Sequence, residues 1–582
     1  MAESRRQYEE CYFTTSDNVE LYYKHWAAAK KSDKAVVLFH RGHEHSGRLQ
    51  HIVDELNLPD VEMFAWDARG HGRSPGARGY SPSVDRSIAD VDDFIRHLAK
   101  TYDIAIENMI VVAQSIGAVS AIAWVHDFAP KIRALVAASP AFDVKLYVPF
   151  AKQLIALGQK IIGQFYVSSY VKARFLTHDA ERIASYNADK LITKQIATNI
   201  LLELFATSKR VIDDAAVIKT PLQLFISGSD FVVHQKAIYD FYEKIGSEIK
   251  EKHVLNGFFH DTLGEKNRKP VMAEMRRFIV ERFAEPVEEY AYEHADRDET
   301  ALQKLADLQK PAKYPIKRAY YGFLIWMLKH FYWLSDGMKL GVQNGFDSGV
   351  SLDYVYRNQP SGKLFCGRLI DKAYLNAIGW RGVRSRKVQL VEFLRRTAQK
   401  LLADGKEVRL VDIAAGRGRY VFEALEGIGK VKEVLLRDFN AENVAHGQKI
   451  IAQKGWTDFV RFEQGDAFNT ASLAEIKNHP NIAVVSGLYE LFAENEPVQR
   501  SLSGLAEVME QGGYLIYTNQ PWHPQLEIIA RVLNSHRDGK AWAMRCRSQA
   551  ETDRLVELAG FEKIRQICTE NAIFTVSVAR KK

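Results

Sequence analysis

Two stretches of this chain, about 300 residues apart, carry side chains whose types and spacing could do chemistry. The first is centred on Ser115, where an apolar run gives way to small residues. A serine hydroxyl becomes a useful nucleophile only when a base, an orienting acid and an oxyanion hole surround it. The second is a turn at Gly416 and Gly418, of the kind that lets the backbone approach an adenosine-containing cofactor. Because the two chemistries are unrelated, the sequence favours a fusion of two enzymes.

The Ser115 stretch has the form of a nucleophile elbow. Ala113 and Gly117, two residues before and two after the serine, are small enough for the tight turn that exposes the hydroxyl. The usual pattern has glycine at both positions, and here the first is alanine. Taken alone, the stretch is equally typical of an ordinary buried serine between a strand and a helix.

Three more stretches extend this pattern: His40–Arg48, Asp67–Ser74 and Gly79–Tyr80. With the serine they resemble the monoglyceride lipase and lysophospholipase branch of the α/β-hydrolases, over about 270 residues. The resemblance implies that Asp230 is the catalytic acid and His260 the base. The order serine, aspartate, histidine along the chain is the order that this fold requires.

The same resemblance implies an oxyanion hole at the backbone amides of Gly42 and Ile116. Each such donor contributes about 3–4 kcal/mol to the stabilisation of a tetrahedral intermediate. Arg41 stands where the family has glycine, so the path of this loop is a point of difference. The nearby histidines His40, His43 and His45 lie on that loop without supporting Cys or carboxylate spacing, and no metal site is expected.

The second stretch has the spacing Asp412-x-x-x-Gly416-x-Gly418, with no third glycine in the dinucleotide register. This spacing favours S-adenosylmethionine over a dinucleotide, because a cofactor without a pyrophosphate does not need the following helix N-terminus. Ala414 replaces a glycine that is common in this turn, which predicts a slightly displaced cofactor loop.

Acidic residues end the next two predicted strands. Asp438 could accept hydrogen bonds from ribose hydroxyls, and Asp466 with the amide of Ala467 could contact adenine. Each acid alone is also typical of a solvated strand end or a helix cap. Three acids at three successive strand ends are harder to explain in that way, and they support a cofactor site.

This half resembles class I S-adenosylmethionine-dependent methyltransferases, and more closely a bacterial methyltransferase family whose members occur fused to α/β-hydrolases. The resemblance covers roughly residues 300–582. The matching stretches are Phe346–Gly349, Leu352–Asn358, Gly379–Gly382, Thr518–Gln525 and Arg547–Glu551. It implies S-adenosylmethionine as the cofactor and leaves the acceptor open.

Three residues at strand ends face the expected acceptor position: Tyr489, Glu490 and His523. Any of them could be a general base, and any could instead support another group. Asn519–Trp522 is superficially similar to a motif of DNA amino-methylating enzymes, but it follows the fifth strand and has Gln520 for the first proline. Nucleic acid is therefore not an expected partner, and we expect small-molecule or lipid-like substrates.

The elements that must position these residues form two α/β halves, each a doubly wound, mostly parallel sheet. Residues 1–285 are predicted as an α/β-hydrolase domain with a helical cap at about 140–215. Residues 286–313 are strongly charged and are predicted as a linker. A methyltransferase domain follows at 314–582, with a helical part at 314–407 and a seven-stranded, Rossmann-like sheet at 408–582 that closes on a hairpin.

Composition is ordinary for a globular protein: 47% hydrophobic residues, a net charge of +7 and four cysteines without CxxC spacing. These features favour a reducing, cytoplasmic environment. The aromatic segment 319–334 is too short for a membrane span and predicts a buried or interfacial helix. Contact with the inner face of a membrane is one role for it, and the oligomeric state is left open.

The leading hypothesis is a bifunctional enzyme. It joins a serine ester hydrolase, similar to lysophospholipases and monoacylglycerol lipases, to an S-adenosylmethionine-dependent methyltransferase with a small, lipid-derived acceptor. One alternative is a methyltransferase whose hydrolase half edits or demethylates methyl esters. A second alternative is a methyltransferase whose hydrolase fold is catalytically inactive and serves as a binding module. Ala113 and Arg41 are the two departures from the hydrolase pattern that keep this alternative open.

Overall fold

The computed structural model describes residues 5–287, 289–536 and 541–582. The chain divides into two compact units, Met1–Tyr290 and Ala291–Lys582. Each unit is an α/β structure built on one large, mixed sheet, which confirms the predicted fold class. Among the described residues, no helix combines the length and the apolar character that a membrane span requires.

The first unit has an eight-stranded sheet in the order β1-β2-β4-β3-β5-β6-β9-β10, with β7 and β8 forming a separate pair. Its strands are β1 (Glu9–Thr14), β2 (Glu20–Trp26), β3 (Ala35–Phe39), β4 (Glu62–Trp66), β5 (Met109–Gln114), β6 (Ala134–Ala138), β7 (Tyr166–Ser168), β8 (Gln195–Ala197), β9 (Leu222–Ser227) and β10 (Lys250–Leu255). Its helices are α1 (Gln50–Leu56), α2 (Val84–Tyr102), α3 (Ile116–Phe128), α4 (Ala151–Ile162), α5 (Ala180–Ala188), α6 (Thr198–Asp213), α7 (Gln235–Lys244) and α8 (Lys269–Ala284).

The parallel centre of this sheet consists of the apolar runs that sequence analysis identified as strands. β3, β5 and β6 are buried along their whole length, as expected for strands covered on both faces by helices. The antiparallel strands β1 and β2 were not predicted, because Lys24 and His25 interrupt the apolar pattern. Both residues are nevertheless buried in β2: the Lys24 ammonium lies 3.6 Å from the centre of the Tyr8 ring, and His25 Nε2 lies 2.8 Å from Glu62 Oε2.

Between β6 and β9 the chain leaves the sheet and builds a helical layer. This layer contains α4, α5 and α6 together with the short β7–β8 pair. It coincides with the segment in which the strand–helix alternation of the sequence breaks. Helix α4 has no buried residue, whereas α6 buries Leu201, Leu204 and Val211 and contacts α3.

The second unit begins with helices and continues as a seven-stranded sheet in the order β13-β12-β11-β14-β15-β17-β16. Its first helices are α9 (Glu299–Gln309), α10 (Pro315–Phe331), α11 (Asp336–Asn344), α12 (Gly349–Arg357), α13 (Leu364–Leu375) and α14 (Ile378–Ala403). The sheet part comprises β11 (Arg409–Asp412), α15 (Arg419–Leu425), β12 (Glu433–Asp438), α16 (Ala441–Lys454), β13 (Val460–Gln464), α17 (Thr470–Ala474), β14 (Ile482–Val485), α18 (Asn495–Val508), β15 (Tyr514–Asn519), α19 (Leu526–Val532), α20 (Gln549–Leu558), β16 (Phe561–Cys568) and β17 (Thr575–Lys581).

All seven strands predicted for this half are present, and the closing β16–β17 hairpin is antiparallel as predicted. Strands β11 to β15 run parallel. The chain order reverses between β11 and β14, and this switch point is where doubly wound sheets bind ligands, beyond the carboxyl ends of the strands. The sheet therefore places the residues that follow β11, β12, β14 and β15 at one edge.

The segment predicted as a charged linker is folded in the second unit from residue 292 onward. It forms a short 3-10 helix, Tyr292–Arg297, and helix α9, while Glu288 lies outside the described residues. Two of its acidic residues have partners within that unit: Glu293 pairs with Arg554 at 3.2 Å, and Asp296 accepts a hydrogen bond from the Asn495 amide at 2.9 Å. From residue 292 onward this segment is thus part of the second unit's fold.

Helix α10 contains the aromatic segment for which a buried or interfacial helix was predicted. Only Tyr321 of this helix is buried. The large side chains that it leaves exposed are Ile316, Tyr320, Phe323, Trp326, Met327 and Phe331. The segment is therefore not a core helix of the second unit.

Candidate active sites

Ser115 lies in a strained turn between β5 and α3. Its backbone has φ 56° and ψ −120°, a conformation that a residue with a side chain adopts only at a cost of about 1–3 kcal/mol. Two hydrogen bonds hold it there, from its amide to Ala138 O at 3.0 Å and from the Ala141 amide to its carbonyl at 3.2 Å. A Cβ on Gly117 would lie 2.4 Å from His40 O, so the small residue after the serine is required by close backbone packing.

The structure brings the three predicted catalytic residues of this half together. Ser115 Oγ lies 2.8 Å from His260 Nε2, and His260 Nδ1 lies 2.7 Å from Asp230 Oδ2. The other Asp230 oxygen accepts hydrogen bonds from the Val232 and Val233 amides. Burial acts to raise the pKa of Asp230, but His260 and the amide donors outweigh it and lower that pKa. The carboxylate is thus held charged and oriented on the imidazole.

Gly42 and Ile116, whose amides were predicted to form the oxyanion hole, lie side by side next to the serine. Both line the same cavity as Ser115 and His260. The point where a Cβ on Gly42 would stand is 2.7 Å from Ile116 Cδ1, so the two residues are in close contact. Gly42 lies on the loop after β3, and Ile116 is the first residue of α3.

Arg41, the departure from the family pattern, is buried in a network of charges. Its guanidinium binds both oxygens of Glu44 at 2.7 Å and lies 3.3 Å from Asp261, the residue that follows His260. Arg48 also binds Glu44, and Arg182 also binds Asp261. Burial acts to raise the pKa of Glu44, but the arginines prevail and lower it to about 2. Arg41 thus links the oxyanion loop to the loop that carries the catalytic histidine.

Sequence reasoning missed Glu44 and Asp261 as members of this site. The spacing Arg41, Glu44, Arg48 is a signal that could have identified the first, since charges three and four residues apart can pair along one face. The three histidines of this loop have other roles. His45 Nε2 contacts Asp189 at 2.9 Å, His40 Nδ1 contacts Arg41 O at 2.7 Å, and burial lowers the pKa of His43 to about 4. No group of three or more metal-ligating side chains occurs in the part of the chain that the structure describes.

A cavity of about 740 Å³ opens at Ser115 and extends under the helical layer. Its wall away from the catalytic residues is mostly apolar and includes Leu146, Ile155, Phe175, Leu201, Leu204 and Phe231. Such a lining receives an apolar chain and offers few partners to a polar one. The cavity and the nucleophile thus lie together, with the apolar wall extending away from Ser115.

The second predicted site begins at the turn after β11. Asp412 is fully buried, and its carboxylate holds the turn in place. It accepts hydrogen bonds from the Ala414 amide at 3.2 Å and from the Tyr420 hydroxyl at 2.5 Å. Burial raises its pKa to about 7 in spite of these hydrogen bonds. It therefore supports the turn. The glycines have φ values of 57° at Gly416 and 74° at Gly418, which favour glycine at both positions.

Asp438 and Asp466 lie at the same edge of the sheet, after β12 and β13. Asp438 Oδ2 accepts from the Gly416 amide at 2.8 Å, and its Oδ1 accepts from the Asn440 amide and the Asn443 side chain. Burial raises the pKa of Asp438. Asp466 Oδ1 accepts from the Phe468 amide at 2.9 Å, which bends the chain around Ala467. The structure thus joins Gly416, Asp438 and, one strand further, Asp466 with Ala467.

These residues fit the adenosine-containing cofactor that the sequence predicts. Nothing lies within 4 Å of the point where a Cβ on Gly416 would stand, so a ligand can approach this backbone closely. Asp438 keeps lone pairs for hydroxyl donors, and Asp466 and Ala467 offer an acceptor and an amide beside it. The residues that could hold the cofactor are therefore Gly416, Asp438, Asp466 and Ala467, while Asp412, Ala414 and Gly418 shape the turn.

A second cavity, of about 230 Å³, lies in this unit beyond β14 and β15. Of the three predicted acceptor-site residues, Glu490 and His523 line it. Thr518 donates to Glu490 Oε1 at 2.7 Å, and burial lowers the pKa of His523 to about 4, so its imidazole is neutral at neutral pH. Tyr489 is a correction: it does not line the cavity, and its hydroxyl donates to Ser501 within the core.

Two further residues of this cavity were missed by sequence reasoning. Arg386 lies in the long helix α14 and is 4% exposed, and Trp542 lies in the loop before α20. Arg386 shares the apolar stripe of its helix with Val383 and Leu390, at helical spacing. A charged residue on such a stripe is a signal that could have found it, because buried arginines need a partner or a ligand.

Comparisons with known proteins agree with this division. A family model described as "Putative methyltransferase" matches residues 275–581, which is more than half of the chain. A second model, described as "Serine aminopeptidase, S33", matches residues 30–267.

Similar proteins cover either the whole chain or its first half. "Uncharacterized protein YnbC" of Escherichia coli (strain K12) is 54% identical over 574 residues, 98% of each chain. "Monoacylglycerol lipase" of Mycolicibacterium smegmatis is 24% identical and matches 46% of this chain and 95% of its own. The crystal structure of the Paleococcus ferrophilus monoacylglycerol lipase is 22% identical, with a TM-score of 0.40, and covers 47% of this chain and 99% of its own.

Proposed function

Because the chain belongs to the family described as "Putative methyltransferase" and carries a hydrolase-family domain ahead of it, we propose a bifunctional enzyme. Its first unit is a serine ester hydrolase for apolar acyl esters, and its second is an S-adenosylmethionine-dependent methyltransferase for a small acceptor. The hydrogen-bonded chain from Ser115 through His260 to Asp230 is the observation that carries the first part.

In the proposed hydrolysis, Ser115 Oγ attacks the ester carbonyl while its proton passes to His260 Nε2. The Asp230 carboxylate holds the Nδ1–H of that histidine and stabilises the imidazolium that forms. The amides of Gly42 and Ile116 donate to the oxygen that becomes negative. His260 then gives its proton to the leaving alcohol, and a water molecule, activated by the same histidine, releases the acid.

The substrate class follows from the cavity wall. An apolar lining of this size recovers about 25 cal/mol for each Å² of apolar surface that leaves water, so each CH₂ group of a chain adds about 0.8 kcal/mol. We therefore expect hydrolysis to improve with chain length until the cavity is filled. The relatives named as monoacylglycerol lipase and phospholipase agree with this class of substrate.

Labelling with a fluorophosphonate tests the hydrolase, because only an activated serine reacts with it. We expect the wild-type protein to label at neutral pH and the Ser115→Ala variant to remain unlabelled. A series of p-nitrophenyl esters from acetate to palmitate then measures the chain-length preference. Absence of labelling in folded wild-type protein would instead support the inactive, substrate-binding hydrolase fold.

For the second unit, the residues around Gly416 would hold the cofactor, with Asp438 on the ribose hydroxyls and Asp466 with Ala467 at the adenine. When bound, S-adenosylmethionine supplies an electrophilic methyl group. Glu490 is the residue placed to accept a proton from the acceptor, because it lines the adjacent cavity and keeps Oε2 free. Burial lowers the pKa of His523, so its imidazole is neutral. Because its Nδ1 accepts from the Gln525 amide, its Nε2 carries the proton and can donate a hydrogen bond there.

Calorimetric titration of the full chain tests the cofactor assignment. We expect S-adenosylmethionine and S-adenosylhomocysteine to bind with one site per chain and NAD to give no heat of binding. The Ser115→Ala variant is the matched control, since it should bind S-adenosylmethionine as the wild type does. Binding of NAD in place of S-adenosylmethionine would overturn the assignment.

A further inference from the structure

Three polar atoms at the second cavity have no partner. Arg386 Nε, Glu490 Oε2 and Trp542 Nε1 are buried and make no hydrogen bond among the described residues, and all three residues line this cavity. Leaving such an atom unsatisfied costs about 1–3 kcal/mol. Three of them around one cavity point to a ligand that supplies the missing partners.

Several other polar atoms of the lining already have partners. Glu490 Oε1 accepts from Thr518, and His523 Nδ1 accepts from the Gln525 amide at 3.1 Å. Asp347 accepts from the Ser535 hydroxyl and the His536 amide, both at 2.6 Å. Among the fully buried polar atoms of the described lining residues, those without a partner are therefore two donors, on Arg386 and Trp542, and one acceptor, on Glu490.

The walls and the size of the cavity favour a ring over a chain. Five aromatic side chains line it: Phe346, Tyr374, Trp380, Trp542 and Phe574. Its volume of about 230 Å³ is less than a third of the 740 Å³ at Ser115. A dry cavity of about 150 Å³ accommodates benzene. A molecule of one or two rings therefore fits, and the long acyl chain expected for a lipid-derived acceptor does not.

The charges of Arg386 and Glu490 favour a neutral ligand, since the third charged residue of the lining, Asp347, is already paired with His536 at 3.0 Å. Arg386 Nη1 lies 3.8 Å from Glu490 Oε1, and the guanidinium lies 4.6 Å from the centre of the Phe574 ring. A carboxylate in the cavity would lie beside Glu490, and an ammonium group would lie beside Arg386, so either charge meets repulsion as well as attraction. A hydroxyl together with a second oxygen satisfies all three free atoms without adding a charge.

We propose that this cavity binds a neutral phenol or enol of one or two rings that carries an acceptor oxygen next to its hydroxyl. The hydroxyl donates to Glu490 Oε2, and the second oxygen accepts from Arg386 and Trp542. The role of this ligand as the methyl acceptor rests on the proposed function. In that role the hydroxyl proton would pass to Glu490, and the hydroxyl oxygen that loses it would form the bond to the electrophilic methyl group that S-adenosylmethionine supplies. The bond between that methyl group and sulfur would break, and its electron pair would stay on sulfur.

The test is calorimetric titration of the full chain without cofactor, using guaiacol and anisole, which differ only in the hydroxyl. A hydrogen bond to a charged group contributes about 1.5–3 kcal/mol, so guaiacol should bind at least about tenfold more tightly than anisole. Octanoate and 2-phenylethylamine, which represent a chain carboxylate and an amine, should bind more weakly than guaiacol. Equal binding of guaiacol and anisole, or tighter binding of octanoate or the amine, would overturn the proposal.

Variants connect the preference to the named atoms. Glu490→Gln removes the charge and should reduce the ratio of guaiacol affinity to anisole affinity about tenfold. Trp542→Phe keeps an aromatic ring but loses the N–H, and it should weaken the binding of both ligands severalfold. Trp456→Phe, in a tryptophan that packs on Phe422 and Phe459 outside the cavity, is the matched control and should change neither. Thermal midpoints establish that each variant is folded, and an unchanged ratio in folded Glu490→Gln would contradict the assignment.

Titration with S-adenosylmethionine separates this proposal from the proposed function. If guaiacol binds as expected and S-adenosylmethionine does not bind, the ring site is supported and the methyltransferase assignment fails. If S-adenosylmethionine binds and guaiacol is not preferred over anisole, the methyltransferase assignment is supported and the ring site fails.

Discussion

The two sites of this chain differ in how completely they are assembled without a ligand. Around Ser115, the catalytic groups satisfy one another: the serine contacts the histidine, the histidine contacts the aspartate, and the aspartate is held by two backbone amides. In the second unit, the cavity keeps buried donors and an acceptor without partners.

The difference follows from the chemistry that each site is proposed to do. A serine nucleophile must be activated before the substrate arrives, so its base and acid have to be in place beforehand. Methyl transfer has no protein nucleophile, and the protein contributes mainly position and a proton acceptor. Changes in the first site should therefore affect the rate of turnover most, and changes in the second should affect binding most.

The largest effect is expected for Asp230→Asn. The amide cannot stabilise the imidazolium and favours the wrong histidine tautomer, which in serine hydrolases lowers kcat about 10⁴-fold. Steady-state hydrolysis of a medium-chain p-nitrophenyl ester measures this. Asp143→Asn, which changes an exposed carboxylate of the same unit, is the control and should retain full activity. If Asp230→Asn keeps more than a tenth of the activity, the triad is not the catalytic unit and the contrast between the sites fails.

Arg41→Met tests whether the assembled site depends on its charge network. Removing the arginine leaves Glu44 and Asp261 buried with one cation fewer, and breaking a buried pair costs about 3–5 kcal/mol. We expect slower ester hydrolysis and a lower thermal midpoint of the first unit. The midpoint is measured as the temperature at which fluorophosphonate labelling is lost.

The double variant Arg41→Met/Glu44→Gln provides the control for the charge argument. Since both the cation and its main anion are then removed, it should recover part of the stability that the single variant loses. A single variant as stable as the wild type would show that Arg41 does not link the two catalytic loops energetically.

The dependence of stability on pH should also separate the two units. His126 is buried between Asp127 and Asp214; burial acts to lower its pKa, but the two carboxylates raise it to about 9. Because the folded pKa exceeds the unfolded one, this stabilisation is complete below pH 6.5 and is lost as the pH rises through 9. It amounts to about 3 kcal/mol. Thermal midpoints of wild type and His126→Gln should therefore differ at pH 6 and converge above pH 9.

In the second unit the corresponding group is Asp412, and it affects stability over a lower range of pH. Its folded pKa of about 7 exceeds the unfolded value of 3.8, so the folded state retains a proton that the unfolded state loses. Stability should then fall as the pH rises from about 4 to 7, and Asp412→Asn should abolish that slope. Retention of the slope in a folded Asp412→Asn variant would mean that another group causes it.

The sequence predicted the parallel strands of both sheets well, because they are continuous apolar runs bounded by turns. It did not predict β2, since the buried Lys24 and His25 of that strand have partners that lie far away in the chain or on another strand. The charged segment at 286–313 was misleading for the same reason. Two of its acidic residues, Asp296 and Glu293, have partners about 200 and 260 positions away, and no local pattern records such distant partners.

The candidate sites show the same limit. Ser115, Asp230 and His260 were predictable because strand ends and chain order fix them in this fold. Asp412 was predicted to bind the cofactor, and this stays a prediction: the structure shows its carboxylate buried and supporting the turn. Arg386 and Trp542 were missed, because what distinguishes them is a nitrogen atom without a partner in a cavity. That property depends on side chains from several helices and loops meeting in three dimensions.

Asp438→Asn should have the smallest effect, and it distinguishes binding from assembly in the second unit. The carboxylate already accepts from the Gly416 amide, so the substitution weakens the turn and the expected ribose contact without disturbing the sheet. Losing a charge-assisted hydrogen bond should weaken S-adenosylmethionine binding about tenfold, as measured by calorimetry. Glu463→Gln, an exposed carboxylate on the neighbouring strand β13, should bind the cofactor as the wild type does. Equal affinity of Asp438→Asn and wild type would place the cofactor elsewhere. Asp412, Asp438 and Asp466 would then have only the structural role that is typical of each acid alone, at the end of a strand or as the cap of a turn.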